Sequence, residues 1–142
     1  MVKQISVFLE NKSGRLADVT RTLGTNNIDI SALSIADTTD FGILRLIVNN
    51  PLKAEEILKK EGFTVSSTDV LAIAVEDEPG GLSQALTVLE ENAIDIEYIY
   101  AFVGKRSNEA LVILRLDKPC DAIKVLGKNN VKVLEQEDIY HL

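Results

Sequence analysis

The chain has 142 residues, 46% of them hydrophobic and 26% charged, so it is expected to fold around its own core without disulfide or metal staples. Its net charge of −7, with 5% aromatic residues and no Trp, argues against nucleic acid and anionic membranes as partners, because both demand positive charge and the former often stacking rings. A single Cys, Cys120, and a single His, His141, cannot build a metal cluster or an internal disulfide, so no metal and no cofactor is expected.

In chain order, residues 4–10 carry Ile5, Val7 and Leu9 at period two, the mark of a half-buried strand. No basic segment and long apolar run open the chain, which reads as a strand start and not a signal peptide. Residues 14–26 place Leu16, Val19, Thr20 and Leu23 at helical spacing, with Ser13 positioned to cap the helix. Residues 27–36 alternate Ile28, Ile30, Leu33 and Ile35 as a second strand, and residues 37–40 turn into a third at 41–48. Pro51 suits a first helical turn, and Ala54, Ile57 and Leu58 give that helix a buried face. Gly62 ends it, and Phe63, Val65 and Ser67 open a fourth strand. The order is βαββαβ.

The second half repeats that order. A strand is expected at 70–75, a helix at 80–92, strands at 95–103 and 110–116, a helix at 119–129 and a strand at 131–138. Cys120 reads as a small apolar residue near the start of the last of these helices. A shift of 66 positions lays Glu10, Gly14, Leu16, Leu23, Asn26, Ile28, Asp29 and Ile30 onto identical residues from Glu76 to Ile96. A shift of 68 then aligns Pro51, Ala54, Leu58, Lys60 and Val65 with Pro119, Ala122, Leu126, Lys128 and Val133. The two extra residues fall in a hairpin loop expected at 104–108. No Gly or Pro interrupts residues 63–75, so an extended segment is expected to join domains 1–69 and 70–142 as a fixed pair. The fold class is α+β: two ferredoxin-like units packed side by side, their antiparallel sheet continuous and their helices on one face.

That fold hosts many functions, so the residues must choose among them. A metal carrier needs Cys-x-x-Cys in the first loop, whereas the loops read Asn11-Lys12-Ser13-Gly14 and Asp77-Glu78-Pro79-Gly80. An RNA module needs aromatics on its central strands, which here are aliphatic around Ile43 and Val112. A phosphate-cradling loop would use Arg15, but Gly81 takes its place in the second copy. Nothing pairs a nucleophile with a base, and His141, the penultimate residue, is expected to fray. Asp29 and Asp95, the acidic pair kept in both halves, read equally well as polar strand openers.

Asn11-Lys12-Ser13-Gly14-Arg15-Leu16, Asn27-Ile28-Asp29-Ile30 and the aliphatic third strand resemble the ACT domain. Glu78-Pro79-Gly80-Gly81-Leu82 and Ala93-Ile94-Asp95-Ile96 carry the same resemblance in the second half, so it covers essentially the whole chain. ACT domains are regulatory amino-acid sensors attached to enzymes such as aspartate kinase and phosphoglycerate dehydrogenase. The resemblance implies paired domains with a free amino acid held between the first loop of one and the second-strand start of its partner. Carried onto this chain, the ligand-binding residues are Asn11, Lys12, Ser13, Gly14, Arg15 and Leu16 with Asn27, Ile28 and Asp29. Their counterparts are Asp77, Glu78, Pro79, Gly80, Gly81 and Leu82 with Ala93, Ile94 and Asp95. The N–H groups of a helix start suit the ligand's carboxylate, and Gly14 and Gly80 would let the backbone approach it. The divergence of the two loops makes two equivalent sites unexpected, and the overall charge favours a neutral or basic amino acid over an acidic one. These residues contain no catalytic domain, so any regulated enzyme of amino-acid metabolism would be a separate chain. The competing reading is a scaffold without a ligand. A soluble, cytoplasmic protein is expected, because no segment approaches about 18 consecutive apolar residues, and a homodimer, because the uncovered sheet faces at 43–48 and 112–116 should expose alternate apolar residues.

Overall fold

The computed structural model describes residues 1–10, 13–37, 41–104 and 107–140. Residues 38–40 of the expected turn, Lys105 and Arg106 of the expected hairpin loop, and His141 lie outside them. The chain divides into one unit at Lys3–Asp69 and another built from Met1–Val2 and Val70–Leu142. They are called the first and the second unit below.

The first unit contains β1 (Val2–Glu10), α1 (Arg15–Thr25), β2 (Ile30–Asp37), β3 (Phe41–Val48) and α2 (Pro51–Lys60), then the opening half of β4 (Thr64–Glu76). Its strands lie in the order β2-β3-β1-β4. The β1–β3 register sets Val7 opposite Leu44 and Ile5 opposite Leu46, so period-two apolar residues of both strands share a face. That face meets Val19 and Leu23 of α1 and Ala54 and Leu58 of α2 in one core, so both helices cover the same side. Pro51 opens α2, and Asn50 caps it by accepting the Lys53 N–H at 3.3 Å.

The second unit takes up the closing half of β4, followed by α3 (Gly81–Glu91), β5 (Ile96–Ala101), β6 (Glu109–Leu116), α4 (Pro119–Lys128), β7 (Lys132–Leu134) and α5 (Gln136–Tyr140). β4 pairs with β6 and β7, and β6 with β5. Leu71, Ile73, Val75, Val112 and Leu114 supply the sheet side of its core, with Ala85 and Leu89 of α3 and Ala122 and Leu126 of α4 laid on them. Cys120, at the second position of α4, is exposed.

All four long helices stop in the same way. Asn27 (φ 60°), Gly62 (φ 89°), Ala93 (φ 55°) and Asn130 (φ 61°) adopt the left-handed conformation just past each end. The next residue then donates its N–H back to the helix, Ile28 to Leu23, Phe63 to Leu58 and Ile94 to Leu89 at 3.0 Å, and Val131 to Leu126 at 2.9 Å. Residues 27–29 therefore belong to a helix-ending turn and not to the second strand, which starts at Ile30. Ile28 and Ile94 are buried because this turn folds them under the helix.

Two further expectations fail for physical reasons, and a third holds only in part. Ser13 does not cap α1: the capping position is Gly14, left-handed at φ 87°, and no side chain caps that helix. Residues 131–138 form a short strand and then α5, not one strand. Asp138 accepts the Glu135 N–H at 2.8 Å and donates its own N–H to the Glu135 carbonyl at 3.0 Å, a reciprocal cap that starts the helix and buries Ile139. On the reverse sheet faces at 43–48 and 112–116, Ile47 and Ile113 are fully buried and Ile43 is half-buried, whereas Phe8 and Phe41, which the β1–β3 register sets on the same face as Ile43, are exposed. The run Leu111-Val112-Ile113-Leu114, apolar at both parities, is the pattern of a strand buried on both faces. Among the described strand residues, the exposed large apolar side chains are Phe8, Leu33, Ile35 and Phe41 in the first unit and Ile99 in the second. Among the described residues, no helix is long and apolar enough to cross a membrane.

Candidate functional site

The two strand-to-helix turns have one geometry. Gly14 (φ 87°, ψ −7°) and Gly80 (φ 89°, ψ −9°) occupy the capping positions of α1 and α3. Each carbonyl accepts the first full helical bond, from Asp18 at 2.9 Å and from Gln84 at 3.1 Å. A Cβ on either glycine would meet nothing within 4 Å, so the glycines are required by the left-handed backbone and not by crowding. Helix geometry leaves the N–H groups of Leu16 and Ala17, and of Leu82 and Ser83, without an intrahelical acceptor. Beside them Leu16 and Leu82 are both 38% exposed. These turns can therefore present N–H donors, partial positive charge and an apolar contact to a small anion.

The second turn is closed by its own backbone bonds. Asp77 donates its N–H to the Asn108 carbonyl at 2.8 Å, and Glu78 to that of Glu76 at 2.9 Å. Gly81 donates to Glu78 at 3.0 Å, so this N–H is committed inside the turn. A Cβ on Gly81 would come within 2.0 Å of the Glu76 carbonyl, which shows how closely the start of α3 sits on the end of β4. Asp77, Glu78 and Pro79 are exposed. The Glu78 carboxyl titrates above its ordinary range, first because Glu76 hydrogen-bonds to it and then because the charge of Glu76 repels it.

The first turn carries different side chains before and after its glycine. Arg15 stands where Gly81 does, with its guanidinium carbon 4.5 Å from the centre of the Phe63 ring. Its Nε is buried with no hydrogen-bond partner, and the group is held by stacking on Phe63 together with an ion pair to Asp18 at 3.9 Å. Ser13 is exposed. Asn11 and Lys12, expected to contribute here, lie outside the described residues.

The strand-start residues occupy the other end of each helix. α1 and α3 have 11 residues apiece, about 16 Å of helix. Within one unit the turn at Gly14 or Gly80 is therefore not brought together with Asn27, Ile28 and Asp29 or with Ala93, Ile94 and Asp95. Their backbone is also occupied. Asp29 donates its N–H to Asn49 Oδ1 at 3.0 Å, and its carbonyl accepts the Asn49 N–H at 3.2 Å. Asp95 and Asp117 repeat the arrangement at 2.9 and 3.2 Å. The Lys118 ammonium donates to the Ala93 carbonyl at 3.1 Å. Sequence reasoning did not find the Arg15–Phe63 stack or the contact of Gly81 with Glu76. The exchange of Arg15 for Gly81, between a glycine and a leucine that both turns keep, was the available signal. Among the described residues, no group of three or more His, Cys, Asp or Glu is placed to hold a metal ion.

Against known proteins, a family model described as an ACT domain pair matches residues 1–142. No curated protein matches the chain. Among solved structures, a protein from Bacteroides thetaiotaomicron is 44% identical, covering 99% of this chain and 96% of its own at a TM-score of 0.92. The regulatory subunit of aspartate kinase from Thermus thermophilus, in a ligand-free form, is 14% identical over 89% of this chain and 91% of its own, with a TM-score of 0.66. The corresponding subunit from Thermus flavus is also 14% identical, over 89% and 90%, with a TM-score of 0.60. The last two likenesses are of fold.

Proposed function

The chain belongs to the ACT domain pair family, and from that premise we propose that it is a regulatory sensor of a free amino acid, acting on an enzyme carried by another chain. The supporting observation is the matched pair of glycine-capped turns at Gly14 and Gly80, each with N–H donors that have no intrahelical acceptor and an exposed leucine at a helix start. The ligand's carboxylate is received at the N–H groups of Leu16 and Ala17 or of Leu82 and Ser83. Its ammonium goes to acceptors of the kind Asn11 and Asp77 supply. Attachment of that ammonium end by a second ACT unit, as in the family arrangement, side-by-side packing of the units and assembly of the chain into a homodimer are parts of the same proposal. The ligand is neutral or basic, because exposed Asp77 and Glu78 repel an acidic side chain. Binding that favours one arrangement of units is then coupled to the partner by the same free energy.

The test is thermal melting of the full chain against each of the twenty amino acids. A ligand at about 100 times its dissociation constant adds about 2.7 kcal/mol and raises the melting temperature by several degrees. Leu82→Glu and Leu16→Glu place a negative charge beside the donors, and one of them should weaken binding about tenfold or more. Valine at Gly14 or Gly80 is a poor probe, since it would strain the backbone whether or not a ligand binds. That both glycines are explained by φ alone favours one second reading, a scaffold that pairs ACT units without a ligand. Failure of all twenty amino acids to raise the melting temperature would establish it.

A further inference from the structure

The two units differ most along one face of α1 and of α3. In the first unit the groove there has a volume of about 230 Å³ and is lined by four charged side chains, Arg15, Asp18, Arg21 and Glu61, with Thr22 and Phe63. The residues 66 or 68 positions on are Gly81, Gln84, Thr87, Asn129, Val88 and Val131, none of them charged. All of these but Thr87 line a cleft of about 390 Å³ in the second unit. Small-molecule sites span about 300–1,000 Å³, so the second cleft reaches that range and the first does not.

The larger space has one consistent origin. Val75, Ala85, Val131 and Gly81 stand where the first unit has the larger Leu9, Val19, Phe63 and Arg15, and all four of the smaller residues line the cleft. Val75 and Ala85 are buried, and Val88 and Val131 are half-buried, so the inner surface is aliphatic. Gln84 and Asn129, both exposed, add polar but uncharged amides. Glu76, Glu109 and Lys132 also border the cleft. The ladders pair Glu76 with Glu109 and Lys132 with Ala74, on the sheet face opposite core-facing Val75, so those charges do not belong to the aliphatic surface. Gly81 ties the cleft to the helix start, because the next two residues, Leu82 and Ser83, carry the N–H groups without intrahelical acceptors.

We propose that the second unit is the one that receives the sensor's amino acid, and that this cleft takes its side chain, an uncharged aliphatic one of three or four carbons. The inference rests on the sensor reading and narrows it. The carboxylate meets the N–H groups of Leu82 and Ser83, and the alkyl side chain lies over Ala85, Val88 and Val131. A charged side chain would lose water there with no opposite charge on the aliphatic surface to replace it. In the first unit the guanidinium of Arg15, stacked on Phe63, occupies the corresponding place.

The probe is L-leucine, titrated into the full chain by calorimetry and followed by backbone amide NMR, with glycine and L-lysine as comparators. One leucine per chain should bind about tenfold or more tighter than either comparator, because glycine buries no alkyl group and lysine must bring its charge. Leucine should shift the amides of Ala85, Val88 and Val131 and leave those of Thr22 and Phe63 in place. Val131→Phe restores the bulk of Phe63 and should bring leucine down to the affinity of glycine. Val88→Thr, which nearly keeps the side chain's shape and puts a hydroxyl on the aliphatic surface, should weaken leucine about threefold or more. Equal affinity for leucine and glycine, a preference for lysine, or undiminished leucine binding in both folded variants would overturn the cleft's role and leave the sensor reading standing. Failure of all twenty amino acids to bind would overturn the sensor reading itself, and this inference with it.

Discussion

The first and second units use the same devices at the same places: a left-handed glycine before the first helix, a left-handed residue after every long helix, and a lock between the second-strand start and the residue after the third strand. Against that constancy one exchange stands out, Arg15 with Phe63 in the first unit for Gly81 with Val131 in the second. The difference teaches that duplication preserved what the backbone requires and left free what fills the space beside it. A groove closed by the chain's own guanidinium in one copy is open to solvent in the other.

The largest expected effect tests the tight side of that exchange. Gly81→Ala drives a Cβ to 2.0 Å from the Glu76 carbonyl and should destabilise the second unit by about 3 kcal/mol or more in urea melts. The matching position already carries a full side chain in Arg15, and Arg15→Ala should cost far less.

A smaller effect with the opposite sign comes from the helix ends. Ala93 is held at φ 55°, a conformation that costs an alanine about 1 kcal/mol, so Ala93→Gly should stabilise by about that amount. Asn27 at φ 60° tolerates the same conformation better, and Asn27→Gly should gain about 0.5 kcal/mol or less. Equal gains in the two would show that the turns are not equivalent in strain.

The stack itself is measured by a double-mutant cycle. Arg15→Ala and Phe63→Val should show a coupling of about 0.5–1 kcal/mol, because the guanidinium lies on the ring while remaining partly exposed. The pair Gln84→Ala and Val131→Ala, in the open groove, should show none.

The smallest effect is a pH dependence. Since the folded chain raises the Glu78 titration point, the stabilising contribution is complete below the ordinary carboxylate range and is lost as pH rises through the raised value. Glu78→Gln should therefore melt slightly higher than the parent at neutral pH, and the gap should close on acidification to about pH 3. The first unit, with Lys12 at the matching position, has no such counterpart to lose.

The amino-acid sequence by itself determined the duplication, the βαββαβ order, the helix starts at Pro51 and Pro119 and the stop at Gly62. Each is written in local periodicity or in one residue's backbone preference. The glycines of the two turns were legible too, but their reason was not: the sequence suggests room for a ligand, and the structure shows a φ near 90° with open space around it. The reciprocal cap of Glu135 and Asp138 was present in the residues and hidden by the strand-like run before it. Only the tertiary structure decided that Ile47 and Ile113 are buried on the reverse faces, that the turn residues and the strand starts stand a helix length apart within a unit, and that Arg15 lies on Phe63. Those outcomes depend on residues distant in sequence meeting in space, and no local pattern records which side chain will reach a given gap or what will cover a given face.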